Sequence, residues 1–305
     1  MIALTKIREL DLSQASSPSR PRYLSAASGL VCVKSVIYIV ADDELHLAVF
    51  GAADHEPGRL VRLFEGELPD SAPKRKKHKP DFEALTMLPA YGDFPHGALL
   101  ALGSGSRPNR RMGAVLELGR DGHVEGAAQA VDLSFILTPL ADMFSAPNIE
   151  GAVVSGSELR LFQRGNKRDA ENAIIRFQLS TVIEALRSGR ASAIKPSSIV
   201  KFDLGEIDGI PFCFTDAAAL PDGSMVFTAV AEDTDNAYDD GDCTGAAVGC
   251  IDGESLRWLR RLDRPYKVEG VAARIEGDAI KLLLVTDADD ISIPASLFSA
   301  TIEAR

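Results

Sequence analysis

One short pattern recurs five times along the chain and limits what it can fold into more than any other feature. A small polar or acidic residue is followed by a small residue and then an apolar run: Ser28-Gly29-Leu30, Glu83-Ala84-Leu85, Glu150-Gly151-Ala152, Asp216-Ala217-Ala218 and Glu269-Gly270-Val271. The pattern starts at positions 28, 83, 150, 216 and 269, so its spacing is 55, 67, 66 and 53 residues. The 36 residues after Glu269 and the 28 that end at Ser28 make one further unit of 64 if the chain closes into a ring. Self-similarity at such a period marks a repeat architecture.

Each unit reads as consecutive hairpins. After the pattern comes a tight-turn signal such as Tyr91-Gly92-Asp93, Ser155-Gly156-Ser157, Pro221-Asp222-Gly223 or Glu276-Gly277-Asp278, of the kind that joins antiparallel strands. A second apolar run follows (36–40, 98–102, 159–162, 225–230 and 281–286), then a polar loop, a third strand, and a more polar fourth strand at 59–64, 128–135, 198–204 and 256–262. The last unit has no fourth strand of its own, and Lys6 to Leu12 fits the vacancy. The expected fold is therefore all-β: a five-bladed β-propeller of four-stranded antiparallel blades, one domain over residues 1–305, with its ring closed by the N-terminal strand. A six-bladed ring and a two-sheet sandwich are the alternatives. One helix is expected over Thr181 to Ser188, capped by Ser180 and ended by Gly189.

Composition narrows the function classes. The formal charge of −11 argues against a nucleic-acid partner. No apolar run reaches the roughly 20 residues of a membrane span, and Met1 to Leu12 reads as neither a signal peptide nor an anchor. The four cysteines, Cys32, Cys213, Cys243 and Cys250, form no CxxC pair and read as free thiols of a cytoplasmic protein. Cys32 is expected to be buried between Val31 and Val33, and Cys243 and Cys250 to face each other across a hairpin.

Antiparallel alternation places the start of every first strand and the loop after every second strand at one mouth of the channel. Glu83, Glu150, Asp216 and Glu269 are thus expected to converge there. Converging carboxylates repel unless a cation offsets them, and Ca²⁺ with its oxygen ligands suits them. Their alternative role is to accept backbone amides and lock blade to blade. The same mouth should gather Arg107, Arg111, Arg164 and Lys267 as a clamp for a small anionic ligand, with Gly103, Gly105 and Gly165 letting a ligand approach the backbone. The basic run Lys74 to Lys79 reads as a solvated loop, and so does the acidic run 232–242, which lacks EF-hand spacing. No Gly-x-Ser-x-Gly elbow is present, and of the five histidines only His78 falls near the mouth. A metal-activated water with a carboxylate base is the hydrolytic chemistry these residues permit.

The sequences Asp81-Phe82-Glu83-Ala84, Asn148-Ile149-Glu150-Gly151 and Lys267-Val268-Glu269-Gly270 resemble the Glu-Gly signatures of the phytase-like, also called esterase-like, propeller proteins. The resemblance implies a propeller, calcium at the channel, and a phosphoester or ester substrate. It departs at Ser28, where an acid is expected, and at Ala84, where glycine is. Two functions follow: a calcium-dependent hydrolase with Glu83, Glu150 and Glu269 as catalytic carboxylates, or a non-catalytic propeller that binds a ligand or protein on that face.

Overall fold

A computed structural model describes residues 1–189, 192–234 and 241–303. Its strands form five antiparallel sheets, and the innermost strand of each packs beside those of its two neighbours, so that the sheets stand as blades around one channel. The inner strands are Ala27–Val33, Phe82–Leu88, Ile149–Ser155, Ile210–Ala219 and Val268–Glu276, in blades 1 to 5.

Alternation of side chains across a pleated strand gives each blade two apolar faces. The buried apolar residues accordingly group into five clusters, each drawn from two adjacent blades. Between blades 3 and 4, for example, Phe162 and Phe227 both meet Phe214 edge-on at centroid distances of 5.1 and 4.9 Å. Glycines at positive φ make the outer turns, as at Gly156, Gly223 and Gly277.

The ring closes as the repeat count requires. Thr5–Glu9 pairs antiparallel with Ser296–Glu303, Thr5 opposite Ser299 and Glu9 opposite Ser296, and supplies the fourth strand of blade 5. Blade 4 departs from the four-stranded rule. A two-residue strand, Glu206–Ile207, folds back on the start of its inner strand through a turn at Asp208 and Gly209.

Four local expectations need correction. The expected helix begins earlier, spanning Leu179–Ser188 after Gln178, because Leu179 joins Val182 and Ala185 on the buried face; Gly189, at φ 62°, ends it as expected. The basic run is no solvated loop: Ala72–His78 is helical, and the buried Arg75 donates to Pro69 O at 3.1 Å and Asp43 O at 2.7 Å. Cys243 and Cys250 lie on one strand, Cys243–Asp252, and cannot face each other across a hairpin. Cys32 is open to solvent rather than buried, since it lines the far end of the channel. Of the acidic run 232–242, residues 235–240 lie outside the described residues.

Candidate functional site: the charged channel mouth

Every inner strand breaks register where it enters the mouth: between Ala27 and Leu30, Phe82 and Ala84, Ile149 and Gly151, Phe214 and Asp216, and Val268 and Gly270. A β-bulge places an extra residue on one strand and re-aims its side chain. The bulged residues are Glu83, Glu150, Thr215 and Glu269, and Ser28 stands at the corresponding place in blade 1. The fourth-blade counterpart of the glutamates is therefore Thr215, one residue before Asp216. Thr215 Oγ1 donates to Val268 O at 2.7 Å.

Asp216 falls where the other blades carry Gly29, Ala84, Gly151 and Gly270. Those positions are small because neighbouring inner strands press together there: a Cβ on Gly270 would stand 2.2 Å from Ser28 O. Asp216 instead projects across the waist of the channel, fully buried, and its Oδ2 accepts Val271 N at 2.9 Å and Leu30 N at 3.3 Å. Burial pushes its pKa well above the ordinary carboxylate value against the pull of those amides. It ties blades 4, 5 and 1 together rather than facing the mouth.

Eight carboxylates and five bases line the mouth. Arg164, from the loop after the second strand of blade 3, lies at its centre: it pairs with Glu150 at 3.3 Å, with Glu269 at 3.7 Å, and with Glu232. Burial pulls down on the guanidinium pKa, but these three carboxylates hold it well above its usual value. Lys267 reaches Glu232 at 3.5 Å, Glu269 at 3.9 Å, and Asp289. On the opposite side Lys79 pairs with Asp42 and, at 3.0 Å, with Asp81, whose other oxygen takes Arg110 Nη1 at 2.7 Å. Glu150 is fixed from below by Asn148 Nδ2 at 2.5 Å.

Burial raises the pKa values of Glu83, Glu150 and Glu269. For Glu83, the charges of Glu150, Asp81 and Asp42 add to that rise. Glu83 is partly exposed and makes no hydrogen bond or ion pair among the described residues. Its carboxylate and those of Asp42 and Asp81 have ligand atoms within 4.8 Å of one another, the converging acidic group among the described residues. Glu150, Asp216 and Glu269 stand outside that group.

Glu83, Glu150, Glu269, Arg164 and Lys267 thus meet at one mouth, as the repeats implied. Arg107 and Arg111 do not line it: Arg111 turns to Thr138 Oγ1 at 3.1 Å, and Arg110 enters in their place. His78 sits exposed at the end of its helix with Nδ1 2.7 Å from Lys74 O. Gly103 admits the chain's own backbone rather than a ligand, since a Cβ there would meet Arg110 O at 2.5 Å, whereas Gly165 lines the mouth with its Cβ position 2.8 Å from Ala170 C. Asp42, Glu232 and Asp287, from the loops after second strands, and Lys79, from the basic run before the second motif, also line the mouth, where alternation places those segments. Asp81 and Asn148 carried a signal, since both stand two residues before a motif glutamate, as Lys267 does, and alternation returns them to its side of the strand.

Solved structures resemble this chain at low identity. A luciferin-regenerating enzyme is 12% identical with a TM-score of 0.48, covering 99% of this chain and 95% of its own. An α-L-arabinanase from Penicillium chrysogenum, complexed with arabinobiose, is 9% identical at 0.46, with 98% and 99% covered. A mannose phosphorylase from Leishmania mexicana, in complex with phosphate ion, is 12% identical at 0.45, with 99% and 88% covered. No curated protein matches the sequence. The sequence profile of DUF6929, a family of unknown function, matches residues 23–302, and the chain belongs to that family.

Proposed function

We propose that the charged mouth is the working site and that it hydrolyses a small ester, with calcium held by Asp42, Asp81 and Glu83. The observation that carries this reading is the convergence of those three carboxylates within 4.8 Å around a glutamate with no partner of its own. Three carboxylate oxygens on one side leave room for the waters and substrate oxygens that complete a calcium shell of six to eight. A bound cation would compete with the ammonium of Lys79 for Asp42 and Asp81. When bound, calcium supplies Lewis acidity toward the ester carbonyl.

The chain's own residues divide the remaining work. Glu150, steadied by Asn148 and Arg164 and raised in pKa by burial, is suited to take a proton from the attacking water, because a raised pKa makes a carboxylate a stronger base. Glu269 pairs with Arg164 and Lys267 and positions the arginine against Glu150. The mouth carries more acids than bases, and Arg164 and Lys267 are each shared among three carboxylates, which makes an uncharged ester a better match than a multiply charged phosphoester.

Titration with calcium tests the proposal. At a hundredfold excess over its dissociation constant, calcium should stabilise the protein by about 2.7 kcal/mol, seen as a higher Tm, and Glu83→Gln should abolish that rise together with turnover across a panel of small esters. Glu150→Gln should abolish turnover and keep the calcium response. A Tm indifferent to calcium, or an unchanged rate in Glu150→Gln, sinks the reading. The second reading, a non-catalytic binding site, is favoured by the density of ion pairs, which leaves the bases little freedom; it predicts calcium binding with no turnover in any form.

A further inference from the structure

A groove opens beside the mouth where blades 4 and 5 meet, and the two spaces share Lys267, Asp287 and Asp289. The mouth has a free volume of about 80 Å³ and the groove about 800 Å³. Ligand pockets commonly run from about 300 to 1,000 Å³, so the mouth alone holds an ion or a polar end, and the body of a ligand must lie in the groove.

The groove's walls suit a flat apolar body. Tyr266 and Phe298 face each other at a centroid distance of 5.0 Å and 51° between planes. Pro294 stands beside them, and Ile293 is 46% exposed at the rim. Its charges suit a cation. Among the described residues of the groove, Asp242, Asp287 and Asp289 outnumber Lys267, and the Lys267 ammonium is already engaged by Glu232, Glu269 and Asp289. Asp287 links the two spaces. Its Oδ1 accepts Asp289 N at 2.8 Å, while its Oδ2 has no partner among the described residues. Burial raises its pKa against the pull of Lys267, with the Asp289 and Asp42 charges adding to the rise, and a cation arriving beside it would favour the charged carboxylate.

We propose that this groove binds a small molecule whose ring-shaped body lies against Tyr266 and Phe298 and whose ammonium group pairs with Asp287. An ammonium beside aromatic faces and a carboxylate gains from both. The inference rests on the reading of the mouth as the working site and adds the class of its ligand: a ring-bearing amine, with the reacting ester directed toward Glu150.

Three probes with one body and different heads test it in calcium-free buffer: 2-phenylethylamine, 2-phenylethanol and 3-phenylpropionate, each titrated calorimetrically and by saturation-transfer NMR. The amine should bind about fivefold or more tighter than the alcohol, the gain of one partly buried ion pair, and the acid more weakly still. Asp287→Asn should erase the amine's advantage and leave the alcohol unchanged. Tyr266→Ala, with its circular dichroism intact, should weaken amine and alcohol together. Equal affinities for the three probes, or an amine affinity indifferent to both substitutions, overturns the proposal. Glu83→Gln keeps the two readings apart: it should remove the calcium response and leave amine binding in place. Amine binding without any calcium response would retain the groove and discard the hydrolase; calcium-dependent turnover without amine selectivity would do the reverse.

Discussion

Arg164 is the residue on which the mouth depends most. Its side chain, 12% exposed, sits among Glu150, Glu232 and Glu269, and each of those carboxylates is close to fully enclosed. Removing one partner of a buried ion pair leaves uncompensated charge and typically costs about 3–5 kcal/mol. Arg164→Met should therefore destabilise the protein by roughly that amount, read from urea denaturation with the m-value checked for constancy. The pH dependence has a definite sign. Glu150 and Glu269 already have folded-state pKa values above those of the unfolded chain, and loss of Arg164 raises them further. A carboxyl with a raised folded pKa costs nothing at low pH, where both states are protonated, and costs progressively more as pH climbs from the unfolded pKa toward the folded one. The deficit of Arg164→Met should thus be small near pH 4 and grow toward pH 8; a deficit of the same size at both would mean that lost packing, not charge, is responsible.

The bulge is the element that converts a strand into a site. It explains why the glutamates and the mouth were legible in the sequence and why one member of the set was misassigned. Glu83, Glu150 and Glu269 each precede a small residue, which makes an acid-then-small pattern; in blade 4 that pattern falls on Asp216-Ala217, although the bulge falls on Thr215. Periodicity cannot see a one-residue register shift, and only strand pairing reveals it. The helix Ala72–His78 was hidden for a related reason. Its run of bases has no apolar period, and it is anchored by Arg75 to carbonyls of Pro69 and Asp43, a tertiary contact with no local signature. Arg107 and Arg111 were set apart from Arg110 by the 3₁₀ turn Pro108–Arg110, which turns only Arg110 inward. The bulge also fixes which glycines matter. Gly270→Ala places a Cβ against Ser28 O, Val285 and Leu30 and should cost about 1–3 kcal/mol through overpacking between inner strands. Gly277, at φ 62° with open space around it, should accept asparagine, which tolerates the left-handed region, at a fraction of that cost. Thermal denaturation of the two variants side by side checks the contrast, and equal shifts would mean that the inner strands are not pressed together at the bulge.

At the scale of the whole molecule, a propeller is only as stable as its closure, because each apolar cluster is shared by two blades and blade 5 meets blade 1 across the join. The N-terminal segment holds blade 5 in the ring in three ways. Thr5–Glu9 hydrogen-bonds the last strand, Ile2 packs into the cluster between blades 4 and 5, and Leu10 and Leu12 pack into the cluster between blades 5 and 1. Burial of an aliphatic side chain contributes about 1.5–3 kcal/mol, so these three residues supply on the order of 5–9 kcal/mol before any strand hydrogen bond, against a total stability of about 5–15 kcal/mol for an ordinary domain. Deleting residues 1–12 should leave a chain at or below the threshold of folding, with the edge of Ser296–Glu303 unpaired and open to another molecule. Size-exclusion chromatography and circular dichroism should show swapped oligomers or aggregate in place of a folded monomer. Because the closure is non-covalent, a synthetic peptide of residues 1–12 added in trans should restore the monomer and raise its Tm in a concentration-dependent way, and the same peptide carrying Leu10→Asp should fail. A truncated chain that stays monomeric with its full-length Tm would show that the ring is held by its inner strands alone.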